Sequence, residues 1–322
     1  MGGDGGQVLI QFVGLRLLRL VVTLLACSFV VYGALYLAPG GVIGAITGGR
    51  VLSDSDRAEI IKAYHLDDPF VERYTTWLGR AVTGDLGQSL VARQPVIDLI
   101  TPRIETTAML VGYSGLLIIV FGIGLGLLAA TRGGQVDRLI VAAMSAFAAV
   151  PGFVAAAVLL SVFAVQLGLF PSFGSGAGFT DRIHHMTLPA VALALAAVGY
   201  VGRVSRSAVL EEQDRDHVLT AWSRGIPGPV VVRDHVLRNA MVPITTTVGI
   251  TIASLIVGSV IVEQVFALNG LGTLLLTGVG QKDYAVVQAV ALVLVASFVV
   301  LNAIVDMSYP ILDPRIGRHG SS

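Results

Sequence analysis

The hydrophobic positions of this chain fall into six long runs separated by polar segments, each approaching the roughly 20 residues that an α-helix needs to cross a bilayer core. The runs extend from Leu17 to Ala38, Ala108 to Ala130, Leu139 to about Leu167, Thr187 to Gly202, Val242 to Val262 and Ala285 to about Val305. Pro151 lies inside the third, where a proline kinks or breaks a helix. The fourth stops early at Arg203, so this span must tilt little, sit in protein or let Arg203 snorkel. An even number of crossings returns both ends of the chain to one side. The expectation is an all-α integral membrane protein with six transmembrane helices. Residues 1–15 read as a disordered, Gly-rich tail and 16–38 as the first transmembrane helix. Residues 39–107 form an external segment with short amphipathic helices, 108–309 the transmembrane core with a polar loop at 203–241, and 310–322 a cytoplasmic tail.

The basic residues orient this scheme, because short cytoplasmic loops are enriched in Lys and Arg. With the N-terminus inside, the inner segments hold Arg16, Arg19, Arg132, Arg138, Arg203, Arg206, Arg215, Arg224, Arg233, Arg238, Arg315 and Arg318, whereas the two short outer loops hold Arg182 and Lys282. Both termini are therefore expected inside. Within the long outer segment, Ser53 and Asp56 have capping-box spacing, and Asp68-Pro69 offers a helix start. Phe70, Tyr74, Trp77, Leu78 and Ala81 then recur at helical spacing, an apolar face that suits packing on the membrane or on other helices better than direct substrate contact. Thr83-Gly84-Asp85-Leu86-Gly87-Gln88-Ser89 follows as a tight turn.

Composition agrees with the pattern: 54% of the 322 residues are hydrophobic and 13% charged, about half the charged fraction of soluble domains. Net charge is zero, so nothing suggests nucleic acid as a partner. Arg16 and Arg19 ahead of an apolar run resemble a secretory signal, but a run of about 20 exceeds the 7 to 15 residues of a signal core and favours an uncleaved anchor. Cys27, the single cysteine, excludes an intrachain disulfide and reads as a packing residue. The two lysines, Lys62 and Lys282, follow Ile61 and Gln281, so neither completes a P-loop. HExxH and GxSxG motifs are also absent, and the adjacent His184 and His185 lack a nearby third ligand. Catalysis, a resident cofactor and a metal site are therefore not expected. Gly122 and Gly126 carry the spacing that lets membrane helices approach closely.

The spans show no ionisable residue at mid-depth, and Glu263 and Asp306 fall at span ends, within reach of water or headgroups. Thr247, Thr251, Ser254 and Gly258 recur on one face of the fifth span, and Asn302 lies in the sixth. Helix packing accounts for them somewhat better than a wet translocation surface, which stays open as the second reading. In the inner loop, Asp216 to Ala221 can form a helix that Arg224-Gly225-Ile226-Pro227-Gly228-Pro229 must end before a second helix from Val230 to Ala240. On pattern alone, this helix-turn-helix is equally an ordinary solvated loop.

Thr220-Ala221-Trp222-Ser223-Arg224-Gly225 resembles the cytoplasmic loop of binding-protein-dependent ABC import permeases, in which two small residues and three variable positions precede a glycine. Thr220 and Trp222 depart slightly from that pattern. His65-Leu66-Asp67-Asp68-Pro69 through Gly84-Asp85-Leu86-Gly87-Gln88-Ser89 is similar to the outer segment of the B-type subunit of oligopeptide, dipeptide and nickel permeases. Arg233 to Pro243, reading RDHVLRNAMVP, and Asp313-Pro314-Arg315 resemble the same subunits. The resemblance implies a permease of the bacterial cytoplasmic membrane whose loop docks on ATPases, with Asp216, Thr220, Ala221, Arg224, Gly225, Arg233 and Arg238 as coupling-loop residues. Thr247, Thr251, Ser254 and Asn302 are the pathway candidates. ATP and Mg would be bound by two separate ATPase subunits or one fused chain. A homologous second permease would complete the pathway, and an extracytoplasmic solute-binding protein would deliver cargo to loops around Ser172 to Met186 and Phe266 to Asp283. ATP-driven closure would move the Gly225 loop and switch the paired helices between inward and outward opening. Short peptides are the expected cargo; nickel or metal chelates, glutathione and glycosides are alternatives in the same family. A stand-alone secondary transporter, which would need intramembrane carboxylates or an inverted repeat, and a scaffold without transport are the rivals from other classes.

Overall fold

Long apolar runs leave the backbone no option in lipid but to satisfy its own hydrogen bonds, and the chain accordingly folds as helices. The computed structural model describes residues 4–36, 67–89 and 91–312; the Ser53 and Asp56 pattern, His65-Leu66 and Asp313-Pro314-Arg315 lie outside these. In chain order the described helices are α1 (Asp4–Tyr36), α2 (Phe70–Val82), α3 (Val96–Arg132), α4 (Gly134–Ala149), α5 (Gly152–Gln166) and α6 (Phe179–Gln213). There follow α7 (Asp216–Ser223), α8 (Gly228–Val265), α9 (Leu271–Gln281) and α10 (Tyr284–Leu312). Among the described residues the sole β-pairing is an isolated bridge between Gln88 and Pro95.

Several helices outrun the apolar runs that announce them. α1 starts at Asp4, inside the segment expected as a disordered tail, and the apolar residues Val8, Leu9, Ile10, Phe12 and Val13 carry the apolar run back toward that start. α3 begins at Val96, within the expected external segment, and α6 extends both ways beyond Thr187–Gly202, so the short fourth span is a 35-residue helix. Arg203 stays exposed along it, and Arg206 is met by Asp137 of α4 through two bonds, Nε to Oδ1 at 2.5 Å and Nη2 to Oδ2 at 2.6 Å. At Pro151 the third span does not merely kink: α4 and α5 meet at 98°.

Contacts at the two ends of the bundle fix the path. At one end Arg206 near the close of α6 pairs with Asp137 at the start of α4, and Glu212 accepts from Asn239 near the start of α8 at 2.9 Å. At the other, Arg182 at the start of α6 pairs with Glu105 early in α3, His184 Nε2 lies 3.1 Å from the Leu169 carbonyl after α5, and the Gly174 amide donates to the Phe266 carbonyl after α8. α4 thus starts at the first end and α5 finishes at the second, so the bent pair crosses once. With α1, α3, α6, α8 and α10, which are each long and apolar enough to cross alone, the described helices make six crossings.

Packing is tightest around α6, whose apolar window is 56% buried against 6% for α1. Small residues produce this. A Cβ on Gly126 of α3 would stand 2.5 Å from the Gly202 carbonyl oxygen, and one on Gly199 would collide with the Met144 carbonyl of α4. Gly122 abuts Val201 in the same seam. α1 lies outside it against α10, exposing Leu17, Leu18, Val21, Val22 and Val30. The face of α2 expected from its spacing packs on α1: Phe70 and Tyr74 meet Phe29 edge-on, Tyr32 lies 5.3 Å from Trp77, and the Tyr74 hydroxyl is 2.8 Å from Ser28 Oγ.

Candidate functional site

The helix-turn-helix between α6 and α8 is a compact hairpin rather than a solvated loop. Arg215 is the extended N-cap of α7, and Asp216 in the first turn places an acid beside the unpaired amides there. α7 ends in a Schellman closure: the Ile226 amide donates to the Ala221 carbonyl at 3.3 Å and the Gly225 amide to the Trp222 carbonyl at 3.0 Å. Gly225 supplies the left-handed turn, with φ +73°, and a Cβ built on it meets nothing within 4 Å. Its necessity is conformational and not one of close approach. Pro227 then caps α8.

Val218 and Ala221 face inward, where they join Val231, Val236 and Ala240 in the core, and Ile226 packs against it. Asp216, Thr220, Arg224, Arg233 and Arg238 are all exposed. Thr220 Oγ1 donates back to the Asp216 carbonyl, and Arg233 pairs with its neighbour Asp234. Leu219 and Trp222 are 53% and 51% exposed, which gives the hairpin an apolar tip among charges. Asn239 Nδ2 bonds Glu212 and the His235 carbonyl, holding the end of α6 to the start of α8. The hairpin is therefore continuous with α8, a single 38-residue helix to the opposite end of the bundle.

The pathway candidates separate. Ser254 and Gly258 lie exposed on α8 beside Ile250, Val257 and Ile261, and Thr247 is half-buried on the same strip. Thr251 turns inward and is 9% exposed. Asn302 is not brought to them: it lines a cavity of about 360 Å³ between α1 and α10, with Arg16, Arg19 and Thr23. His184 lies against Phe170 and His185 pairs with Asp181; among the described residues no three His, Cys, Asp or Glu side chains converge on a metal position. Cys27 is half-buried in α1.

The sequence reading of Glu263 as a water-reached span end is corrected here, because its side chain is completely buried. Its Oε1 accepts from Thr107 Oγ1 of α3 at 2.7 Å, with Ser259 Oγ 3.3 Å away, and its Oε2 accepts the amides of Gly272 at 2.7 Å and Thr273 at 3.2 Å. Thr107 Oγ1 in turn accepts the Leu271 amide at 2.9 Å. The three amides are orphan donors of the first turn of α9, which end a helix unsatisfied unless capped. Glu263 and Thr107 cap it jointly. Gly270 and Gly272 permit the approach, since a Cβ on either would strike the Glu263 carboxylate. The signal in the sequence was a carboxylate closing an apolar run, followed by Gly270-Leu271-Gly272 at the start of another apolar stretch. At the far end of α9, Ser89 Oγ donates to Asp283 Oδ2 at 2.5 Å, which ties the Gly84–Ser89 turn to the start of α10. Both side chains are 2% exposed.

Residues 122–318 match the family model of the binding-protein-dependent transport system inner membrane component. The chain belongs to this family. The permease is 37% identical to the oligopeptide transport system permease protein AppB of Bacillus subtilis (strain 168), over 90% of its own length and 92% of that protein. It is 33% identical to the glutathione transport system permease protein GsiC of Escherichia coli (strain K12), over 96% and 99% of the two chains. Among solved structures, an inward-facing methionine ABC transporter, MetNI, superposes with a TM-score of 0.56 at 21% identity, covering 66% of this chain and 96% of that one. An amino acid ABC transporter solved with histidines gives 0.54 at 15% identity, covering 66% and 94%. Those two likenesses concern the fold. The permease is thus a multi-pass inner-membrane subunit of an ABC importer, working with a binding protein and an ATPase and not itself the ATPase.

Proposed function

We propose that this permease forms half of an ATP-driven pathway for short peptides, and that the hairpin at Gly225 is where the ATPase drives it. The observation that carries the reading is the hairpin's build: a Schellman-closed α7 with Leu219 and Trp222 exposed at its tip, continuous with a helix that reaches the other end of the bundle. An exposed apolar tip ringed by charges fits a protein cleft better than water. On this reading the hairpin end is cytoplasmic, in keeping with Arg132, Arg138, Arg203, Arg215, Arg224, Arg233 and Arg238 gathered there. The exposed strip of α8 through Ser254 would face a homologous second permease across the pathway. Two P-loop ATPases, or one fused chain, would take the hairpins of both.

Peptide cargo is supported by the oligopeptide system of AppB, and glutathione, itself a small peptide, by the near full-length match to GsiC. A stand-alone secondary transporter is disfavoured, because the buried carboxylate Glu263 is committed to backbone and hydroxyl donors rather than to a water-filled route. Co-purification with P-loop ATPase chains, followed by ATP-dependent uptake of labelled di- to pentapeptides and of glutathione into proteoliposomes, tests the reading. Gly225→Asp should insert normally and abolish uptake. Normal uptake by that variant, or flux by the isolated chain, would overturn it.

A further inference from the structure

Two buried polar clusters, Glu263 with Thr107 and Ser89 with Asp283, stand at opposite ends of α9, far from the hairpin. Neither belongs to the coupling loop or to the pathway candidates. Glu263 is the last acidic residue on α8, which begins at the hairpin, and its carboxylate is the joint through which α8 holds the first turn of α9. At the far end of α9, the Asp283 amide donates to the Gly278 carbonyl at 2.8 Å. Asp283 receives Ser89 and holds the first turn of α10 through the Val286 amide at 3.4 Å and, by its carbonyl, the Val287 amide at 3.0 Å. Apolar contacts alone would let α9, an 11-residue helix, slide or roll on its neighbours. Two amides of its first turn donate to the Glu263 carboxylate and a third to the Thr107 hydroxyl that the carboxylate holds, and the glycines at 270 and 272 leave the carboxylate its place, so that directed bonds fasten α9 to α8.

We propose that Glu263 is the positioning residue that carries displacement of the hairpin into the outer face of the permease, by making α9 and the Ser89 turn follow α8. The inference rests on the importer reading above. Without the joint, the hairpin would move and α9 would lag.

The test uses the assembled transporter in nanodiscs. Cys27→Ser removes the one native thiol of this chain, a single cysteine is placed at Val230 on the hairpin side or at Val279 on α9, both exposed, and labelling is read on this subunit after the subunits are separated. The readout is the change in rate of modification by a water-soluble maleimide when nucleotide is added. In the parent protein both positions should respond. In Glu263→Gln, Val230 should respond as before, while the nucleotide-driven change at Val279 should shrink at least about fivefold, the lower end of usual coupling strengths. If Glu263→Gln does not assemble, Thr107→Val, which leaves the carboxylate but removes the bridging hydroxyl, is read in the same way. An unaltered response at Val279 in the variant shows that Glu263 merely caps a helix and overturns the proposal. Silence at both positions in the parent protein instead overturns the importer reading, and this inference with it.

Discussion

The three glycines at 122, 124 and 126 show how differently one residue type acts within a single helix turn or two. Cβ atoms at 122 and 126 would enter α6, whereas one at 124 meets nothing within 4 Å. Gly126→Val should therefore destabilise the bundle by about 1–3 kcal/mol, the usual cost of overpacking. Gly124→Val should be nearly silent when both are compared by thermal unfolding in detergent. Gly225→Ala belongs to another class: its Cβ has room, but φ is +73°, so a cost of about 1–2 kcal/mol should fall on the hairpin alone. Limited proteolysis near Arg224 would register it. Spacing made Gly122 and Gly126 legible beforehand, and the Gly/Pro cluster did the same for the turn at Gly225. Glu263 was not legible, because its partners are Thr107, 156 positions earlier, and amides of a helix that starts after it. A local view of an acid ending an apolar run sees only access to water.

Helix ends were the least legible feature, for a reason visible in α6. Hydropathy stops at Arg203, yet a helix need not stop where its apolar character does, provided the charges beyond are exposed or matched. Arg206 is matched by Asp137, and the helix runs on to Gln213. Reversing one charge, Asp137→Arg, should lower the yield of folded protein, and adding Arg206→Asp should recover much of it, as gel filtration of the two variants would show. The break at Pro151 was foreseen as kink or break, but the 98° angle depends on how the two helices pack on α6, where α4 lies against Gly199 and Gly202. α2 was read well from its 3.6-residue period because its partner face on α1 is aromatic too. Tyr74→Phe, which strips the hydroxyl from Ser28, should loosen this attachment by about 1 kcal/mol, measurable as faster proteolysis within residues 67–82.

For the molecule as a whole, the number of crossings and the position of the hairpin came from the sequence, and the contacts between ends added the order in which helices run. A cysteine at Leu169 and one at Leu219 should consequently react with an impermeant maleimide from opposite sides of sealed vesicles, Leu219 from the cytoplasmic side. Reaction of both from one side would remove the single crossing assigned to α4 and α5. The strip of α8 through Ile250, Ser254, Val257 and Ile261 is exposed in one copy, with the half-buried Thr247 one turn nearer the hairpin, and on the importer reading a second permease covers it.

The seating of α1 on α10 has a consequence for biosynthesis. Of the described helices the first packs against the last, with about 250 residues between them, so at about 5–20 residues per second α1 waits on the order of 10–50 seconds for α10. During that interval the face that α10 will cover meets lipid. A helix in that position has to be stable in the bilayer by itself, and the leucines and valines on its outward face serve that need before they serve the finished fold. Ribosome-bound chains halted before Tyr284 should already hold α1 across the membrane, with α2 docked on it and the α10 side still open to lipid.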